Sequence, residues 1–397
     1  MYSQQMYALG SKRSIIREIF EYAKVRSAEI GADKVFDFSL GNPNVPAPEA
    51  VKEALLDLIQ NTDPVVLHGY TSAQGDFGVR DTIAKSLNRR FGTQLTANHL
   101  YMTVGAAASI SICCRALSCP GDEFITFAPY FTEYQVFVEC NGASLKVVPA
   151  REPDFQIDFE AFKALINERT KAVIINSPNN PSGVVYSEAT IVTLCDLLRE
   201  KSTEYGHPIY LITDEPYREI VYDGVQVPFL INYYDNCLVC YSFSKALSLP
   251  GERIGYVAVS NKMQDGEAIY AAVCGAGRAL GYVCAPSLFQ FLVGRCADLT
   301  SDMSFYRTNR DLLYNGLTEM GYSCVKPDGA FYLFVKSPEK DANAFFERAK
   351  KYELLLVPGD DFGCPGYVRI AYCVKTSLIQ NALPAFRALA QEYGLTK

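Results

Sequence analysis

Ile209-Tyr-Leu-Ile-Thr-Asp-Glu-Pro-Tyr217 is a short apolar, β-branched run that ends in two acids and a proline. It reads as a buried strand, with Asp-Glu-Pro as the turn that stops it. The construction recurs. Ala172-Val-Ile-Ile175 opens into Asn176-Ser-Pro-Asn-Asn-Pro-Ser-Gly183, Leu238-Val-Cys-Tyr241 into Ser242-Phe-Ser-Lys245, and Tyr101-Met-Thr-Val104 into Gly105-Ala-Ala-Ala-Ser109. Further strands are expected at 123–127, 145–148 and 255–259, with helix-like runs between them. Strands alternating with helices predict a mostly parallel sheet covered on both faces. In such sheets ligands collect outside the carboxyl ends of the strands, so these polar turns aim at one crevice.

Outward from this core, residues 11–30 carry helical spacing and Gly41-Asn-Pro-Asn-Val-Pro-Ala-Pro48 is a turn-rich junction. Residues 287–320 read as long helical material, and 322–372 mix strand-like runs with a helix before a final helix. The expected fold class is α/β: a large domain over 48–290 with a mostly parallel, helix-covered sheet, plus a smaller α+β domain built from 1–47 together with 291–397.

At 397 residues and 49% apolar composition, the chain can bury the core of one large or two modest domains. A net charge of −7 gives no footprint for nucleic-acid phosphates or an anionic membrane, so neither is expected as a partner. The first thirteen residues lack the apolar core of a signal peptide, and no run is long enough to cross a bilayer, which places the protein in the cytoplasm. The 13 cysteines are odd in number and mostly lie in apolar segments, as reduced, buried thiols do. Cys237 and Cys240 have metal-like spacing, but in a strand they face opposite ways, and the three histidines are scattered, so no metal is expected. Gly275-Ala-Gly277 follows no strand and lacks the third glycine in register, which rejects a dinucleotide fingerprint.

Lys245 sits among small and apolar neighbours in Ser242-Phe-Ser-Lys-Ala-Leu-Ser-Leu-Pro-Gly-Glu-Arg253. An amine that must form an imine with an aldehyde has to be neutral, and a desolvated pocket lowers its pKa toward that state. Asn180 reads as a turn residue, and the Asn180-Pro181 peptide is expected to be cis. Gly105-Ala106-Ala107 lies at a strand-to-helix turn whose backbone NH groups can face an anion.

The Ser-x-Ser-Lys run with an arginine eight residues on, the Asn-Pro-Ser-Gly turn and Asp214-Glu-Pro-Tyr217 resemble, in spacing and order, the fold-type I class I/II aminotransferases, over Gly41 to Arg369. The resemblance implies pyridoxal 5′-phosphate as cofactor and amino-group exchange between an L-amino acid and a 2-oxo acid by ping-pong chemistry. Lys245 would hold the cofactor as an aldimine and then act as base and acid. Asp214, rather than Glu215, would keep the pyridine nitrogen protonated. Tyr217 and Asn180 would bond its 3′ oxygen. Gly105, Ala106, Ala107, Ser242 and Arg253 would hold the phosphate, with Tyr70 lent by the partner of a homodimer. Phe131, or its neighbour Tyr130, would cover the ring face. Arg369 would grip the substrate α-carboxylate bidentately, with Gly41 letting backbone approach it. Ala106 and Ala107 depart from the family, whose members often carry side-chain donors there.

Arg278 stands at a distance from Lys245 similar to an arginine that aspartate-specific relatives use across the dimer; the alternative is a surface or interface arginine. The same scaffold supports a carbon–sulfur β-lyase as the alternative activity, and an aminotransferase-like sensing domain of a transcription regulator as a third reading.

Overall fold

The structure, a computed structural model, describes residues 2–11 and 14–395. Its centre is a seven-stranded sheet. In chain order the strands are β1 (Leu100–Thr103), β2 (Glu123–Phe127), β3 (Ser144–Val148), β4 (Thr170–Asn176), β5 (Tyr210–Asp214), β6 (Cys237–Ser242) and β7 (Gly255–Val259), lying side by side as β1-β7-β6-β5-β4-β2-β3. Only β7 runs against its neighbours. All seven expected strands form, within a residue or two of their expected ends.

The sheet is mostly parallel because its strands are apolar on both sides. Successive residues alternate between two cores: Ile125, Val173, Leu211, Val239 and Ala258 pack on one face, and Phe124, Ile174, Ile212, Leu238 and Val257 on the other. Cys237 and Cys240 fall on opposite faces, as a strand requires. Gly277 lies within helix Gly266–Ala279, where a Cβ would meet the Tyr101 hydroxyl at 2.0 Å, so this glycine serves close packing of the helix.

A third core unites the two ends of the chain. Ile19, Val35 and Phe38 pack with Leu313, Phe334, Phe345 and Phe386 around a four-stranded antiparallel sheet. Its strands are β8 (Ser323–Cys324), β9 (Tyr332–Lys336), β10 (Val357–Pro358) and β11 (Tyr367–Ala371), in the order β10-β11-β9-β8. Phe36–Asp37 pairs in parallel with Leu354–Leu355. The helical material of 287–320 divides into Ser287–Arg295 and Met303–Glu319. Tyr217, Ile220 and Tyr222, which follow β5, enter this third core, so the turn after β5 is clamped between the two sheets.

Candidate active site

The strands β1, β4, β5 and β6 deliver their turns to one cavity of about 340 Å³, closed on the other side by β9, β11 and the segment around Gly41. Lys245 lies on the single helical turn Phe243–Ala246 after β6, capped by Ser242 Oγ accepting from the Ser244 amide. Its Nζ donates to Gly41 O at 2.6 Å. Lys245 opens on the cavity, yet burial among its neighbours brings its pKa down to about 8; Cys373 opposes the fall, while Arg253 and Arg369 add to it.

Asp214 ends β5 and is buried. Tyr134 donates to its Oδ2 at 2.7 Å, and Oδ1 has no partner. Burial pushes this carboxyl up to about 7, with Tyr134 pulling the other way and Glu215 adding to the rise. Glu215 faces elsewhere: it accepts from Thr213 Oγ1 at 2.8 Å and pairs with Arg218 in the sheet's core. The first of the two acids therefore meets the cavity because strand alternation sends the second to the opposite face.

The Asn180 backbone amide donates to Asn176 Oδ1 at 2.7 Å, and Asn180 Oδ1 accepts from Arg369 Nη1 at 3.0 Å. The Asn180–Pro181 peptide is cis, as expected. Arg369, on β11 and 2% exposed, also donates to Ser39 O, lies 4.7 Å from the Tyr332 ring centre and 5.1 Å from that of Phe362, and leaves Nε unpartnered. It is a braced guanidinium with a spare donor. Tyr217 shares a 2.9 Å hydrogen bond with the Tyr332 hydroxyl, and burial drives its phenol well above its ordinary value.

At the other end, Gly105 has φ 100° and leads into helix Ala106–Leu117. A Cβ there would lie 2.7 Å from Arg253 Nη2, so only glycine lets the guanidinium approach this helix start. Arg253 donates to Ser244 Oγ at 3.4 Å and Pro250 O at 3.2 Å. Ala106, Ala107, Ser242 and Ser244 complete this anion-sized cradle. Phe131 lines the cavity, whereas Tyr130 packs against Gly363 outside it. Gly41 has no room for a side chain: a Cβ would sit 2.0 Å from Tyr332 Oη.

Tyr70 and Arg278 do not line this chain's cavity. Tyr70 is 91% exposed, and Arg278 is exposed in the last turn of helix Gly266–Ala279. Conversely, Tyr134, Tyr332, Asn176 and Ser244 belong to the site although the sequence did not single them out. Ser244 is the second serine of the Ser-x-Ser-Lys run and Asn176 opens the turn Asn176–Gly183, so both sat inside marked segments. Among the described residues no group of three or more His, Cys, Asp or Glu can hold a metal, and no helix is long and apolar enough to cross a membrane.

These residues fit pyridoxal phosphate. A buried carboxylate oxygen without a partner suits a ring N–H, a crowded amine suits an aldehyde, and a glycine-opened helix start beside an arginine suits a phosphate.

Two expected results follow from Asp214. Tyr134→Phe removes the donor that favours the charged carboxylate, and should weaken cofactor binding about 10-fold by equilibrium titration. In the cofactor-free protein the folded pKa of about 7 stands above the unfolded value near 3.8, so this group's contribution is full below 3.8 and is lost as pH rises through 7. Calorimetry of cofactor-free protein should therefore show Tm lower at about pH 8 than at about pH 5.5, with a smaller difference in Asp214→Asn.

A family model for "Aminotransferase class I and II" matches residues 33–386. A putative aminotransferase, YugH, of Bacillus subtilis is 30% identical, with 95% of each chain covered. The aspartate aminotransferase of Thermotoga maritima is 28% identical over 91% of this chain and 93% of that one. Among solved structures, an aminotransferase from Eubacterium rectale superimposes with a TM-score of 0.97 at 59% identity, covering 99% of both chains. The Thermus thermophilus aspartate aminotransferase with maleate gives 0.86 at 26% identity, covering 98% of this chain and 100% of that one.

Proposed function

This chain belongs to the class I and II aminotransferases, enzymes dependent on pyridoxal phosphate, and we propose that Lys245, Asp214 and Arg369 carry its transamination between an L-amino acid and a 2-oxo acid. The observation that carries the assignment is the unpartnered Oδ1 of buried Asp214 in the same cavity as the Lys245 amine. When bound, the cofactor supplies an aldehyde that takes up the amino group and a protonated ring that withdraws the electron pair left at Cα.

The chain's own residues do the rest. Arg369, held by Asn180 and Ser39 and stacked between Tyr332 and Phe362, has a spare Nε to offer the α-carboxylate. Gly41 lets that carboxylate lie close to the backbone. Lys245, with a pKa of about 8, would take the proton from substrate Cα and return it to the carbon on the far side of the amino nitrogen, two atoms away. Asp214 holds the ring N–H, Tyr217 and Asn180 bond the ring oxygen, and Phe131 covers the ring. Arg253, Ser242, Ser244 and the Gly105–Ala107 backbone hold the phosphate.

The same reading includes a homodimer. What supports it is the exposure of large apolar side chains, Tyr70 at 91%, Val65 at 82%, Phe77 at 62% and Val283 at 62%, each of which would gain from burial against a partner. Tyr70 would then serve the partner's phosphate cradle, and Arg278 would stand at that interface. We read 48–290 as the large domain and 1–47 with 291–397 as the small one, supported by the core shared between the two chain ends. A cytoplasmic setting accords with thirteen unpaired cysteines. The β-lyase alternative finds no support among the relatives named above, each of which is called an aminotransferase.

Borohydride reduction of the loaded protein followed by peptide mapping tests the assignment. The cofactor mass should appear on the peptide containing Lys245, and a label on any other lysine overturns it. Amino donors should bleach the visible band of unreduced protein, with the matching 2-oxo acid as product.

A further inference from the structure

Tyr332 is buried and lines the cavity, and no role assigned above uses its hydroxyl. It opens β9 opposite Ala371 of β11, and Arg369 lies two residues back along β11 on the same face, as its diagonal neighbour. That register sets the Arg369 guanidinium 4.7 Å from the centre of the Tyr332 ring. The same ring meets Tyr217 edge-on, at 81° with centres 5.7 Å apart, and the two hydroxyls are 2.9 Å from each other. A Cβ on Gly41 would strike Tyr332 Oη at 2.0 Å, so glycine there keeps room for this hydroxyl.

A phenol has one hydrogen to give and two lone pairs that receive. On the reading above, Tyr217 gives its hydrogen to the cofactor's ring oxygen. The hydrogen in the contact between the two tyrosines must then come from Tyr332. The acidities agree with that direction. Burial raises both phenols, Tyr217 well above its ordinary value but Tyr332 only to about 12 with Arg369 pulling it down, and the more acidic phenol is the better donor. A hydroxyl that receives a hydrogen bond gives a stronger one, so the chain from Tyr332 through Tyr217 favours negative charge on the ring oxygen. Arg369 bonds the other residue assigned to that oxygen, Asn180, directly at 3.0 Å. Tyr332 gives it a second route, to Tyr217.

We propose that Tyr332 is a positioning residue that donates to Tyr217, commits the Tyr217 hydrogen to the cofactor's ring oxygen, and so links the Arg369 site to the cofactor. The proposal rests on the reading that Tyr217 faces that oxygen.

Tyr332→Phe keeps the ring beside Arg369 and removes only the hydroxyl. In the loaded protein the visible band should persist to higher pH, with the midpoint of its pH titration raised by about one unit, because a less stabilised ring oxygen holds the neighbouring proton more tightly. Tyr217→Phe should raise the midpoint as well, and Tyr332→Phe added to Tyr217→Phe should raise it no further. A merely structural Tyr332 would alter Tm or turnover and leave the midpoint in place, and that result overturns the proposal. So does a full shift that persists without the Tyr217 hydroxyl, since the effect then does not pass through Tyr217.

An unmodified protein whose band ignores pH speaks against the underlying site reading instead. Equilibrium binding to cofactor-free protein then decides Tyr332 separately. Pyridoxal phosphate should bind Tyr332→Phe about fivefold more weakly than the unmodified protein, while 3-deoxypyridoxal phosphate, which lacks the ring hydroxyl, should bind both alike. Equal losses for the two ligands, or none for either, overturn the proposal.

Discussion

Lys245→Ala is expected to lower kcat by about 10⁴-fold, the upper range for removing a positioned general base. The reason is local. Nζ lies 2.6 Å from Gly41 O in a cavity where Asp214 is engaged by Tyr134, while Glu215 faces away from it toward Arg218 and Thr213. Removal of the amine leaves no group poised at substrate Cα. The cofactor should remain associated through Arg253, Ser242, Ser244 and the Gly105 turn, so its dissociation constant should change far less than kcat. Rapid mixing of loaded variant with donor, followed by product chromatography, measures the step directly. Single-turnover rates within tenfold of the unmodified enzyme would show that another group moves the proton.

The second large effect is at Asp214. Asp214→Asn keeps the volume and an acceptor for Tyr134 but cannot hold a negative charge against the ring nitrogen. A loss of about 10³-fold in kcat is expected, in the range seen when one preorganised electrostatic stabiliser is removed. Because the carboxylate sits in a dry site, its interaction with a protonated ring is screened little by solvent, and salt should not rescue the variant. Steady-state rates across ionic strength test this; a loss below about tenfold would mean that Asp214 acts as a packing and capping residue.

The sequence alone determined the sheet. β-branched runs that stop at Asp-Glu-Pro, Asn-Ser-Pro and Ser-Phe-Ser-Lys carry their periodicity and their terminators locally, so all seven central strands were legible within a residue or two. The same local logic marked Lys245, Asp214, Asn180 and Gly105, because each follows a strand end where an α/β fold puts its ligands. The helical stretch 287–320 was legible as helix but not as two helices, since its break at 296–302 packs under Ala246 through Ser301.

Only tertiary structure decided the rest. Nothing local says that Tyr134 reaches across 80 positions to Asp214, that Tyr332 bonds Tyr217 across 115, or that Arg369 turns inward to Asn180 across 189. Those pairings depend on how two sheets are stacked, and side-chain orientation in a strand is fixed by register against its neighbours rather than by its own residues. Arg17 is the sharpest case. In the sequence it is one charge on an amphipathic helix, and it becomes a cavity residue only because the two ends of the chain share a core that brings that helix to the mouth of a crevice built largely by residues far along the chain, from Ala106 to Arg369.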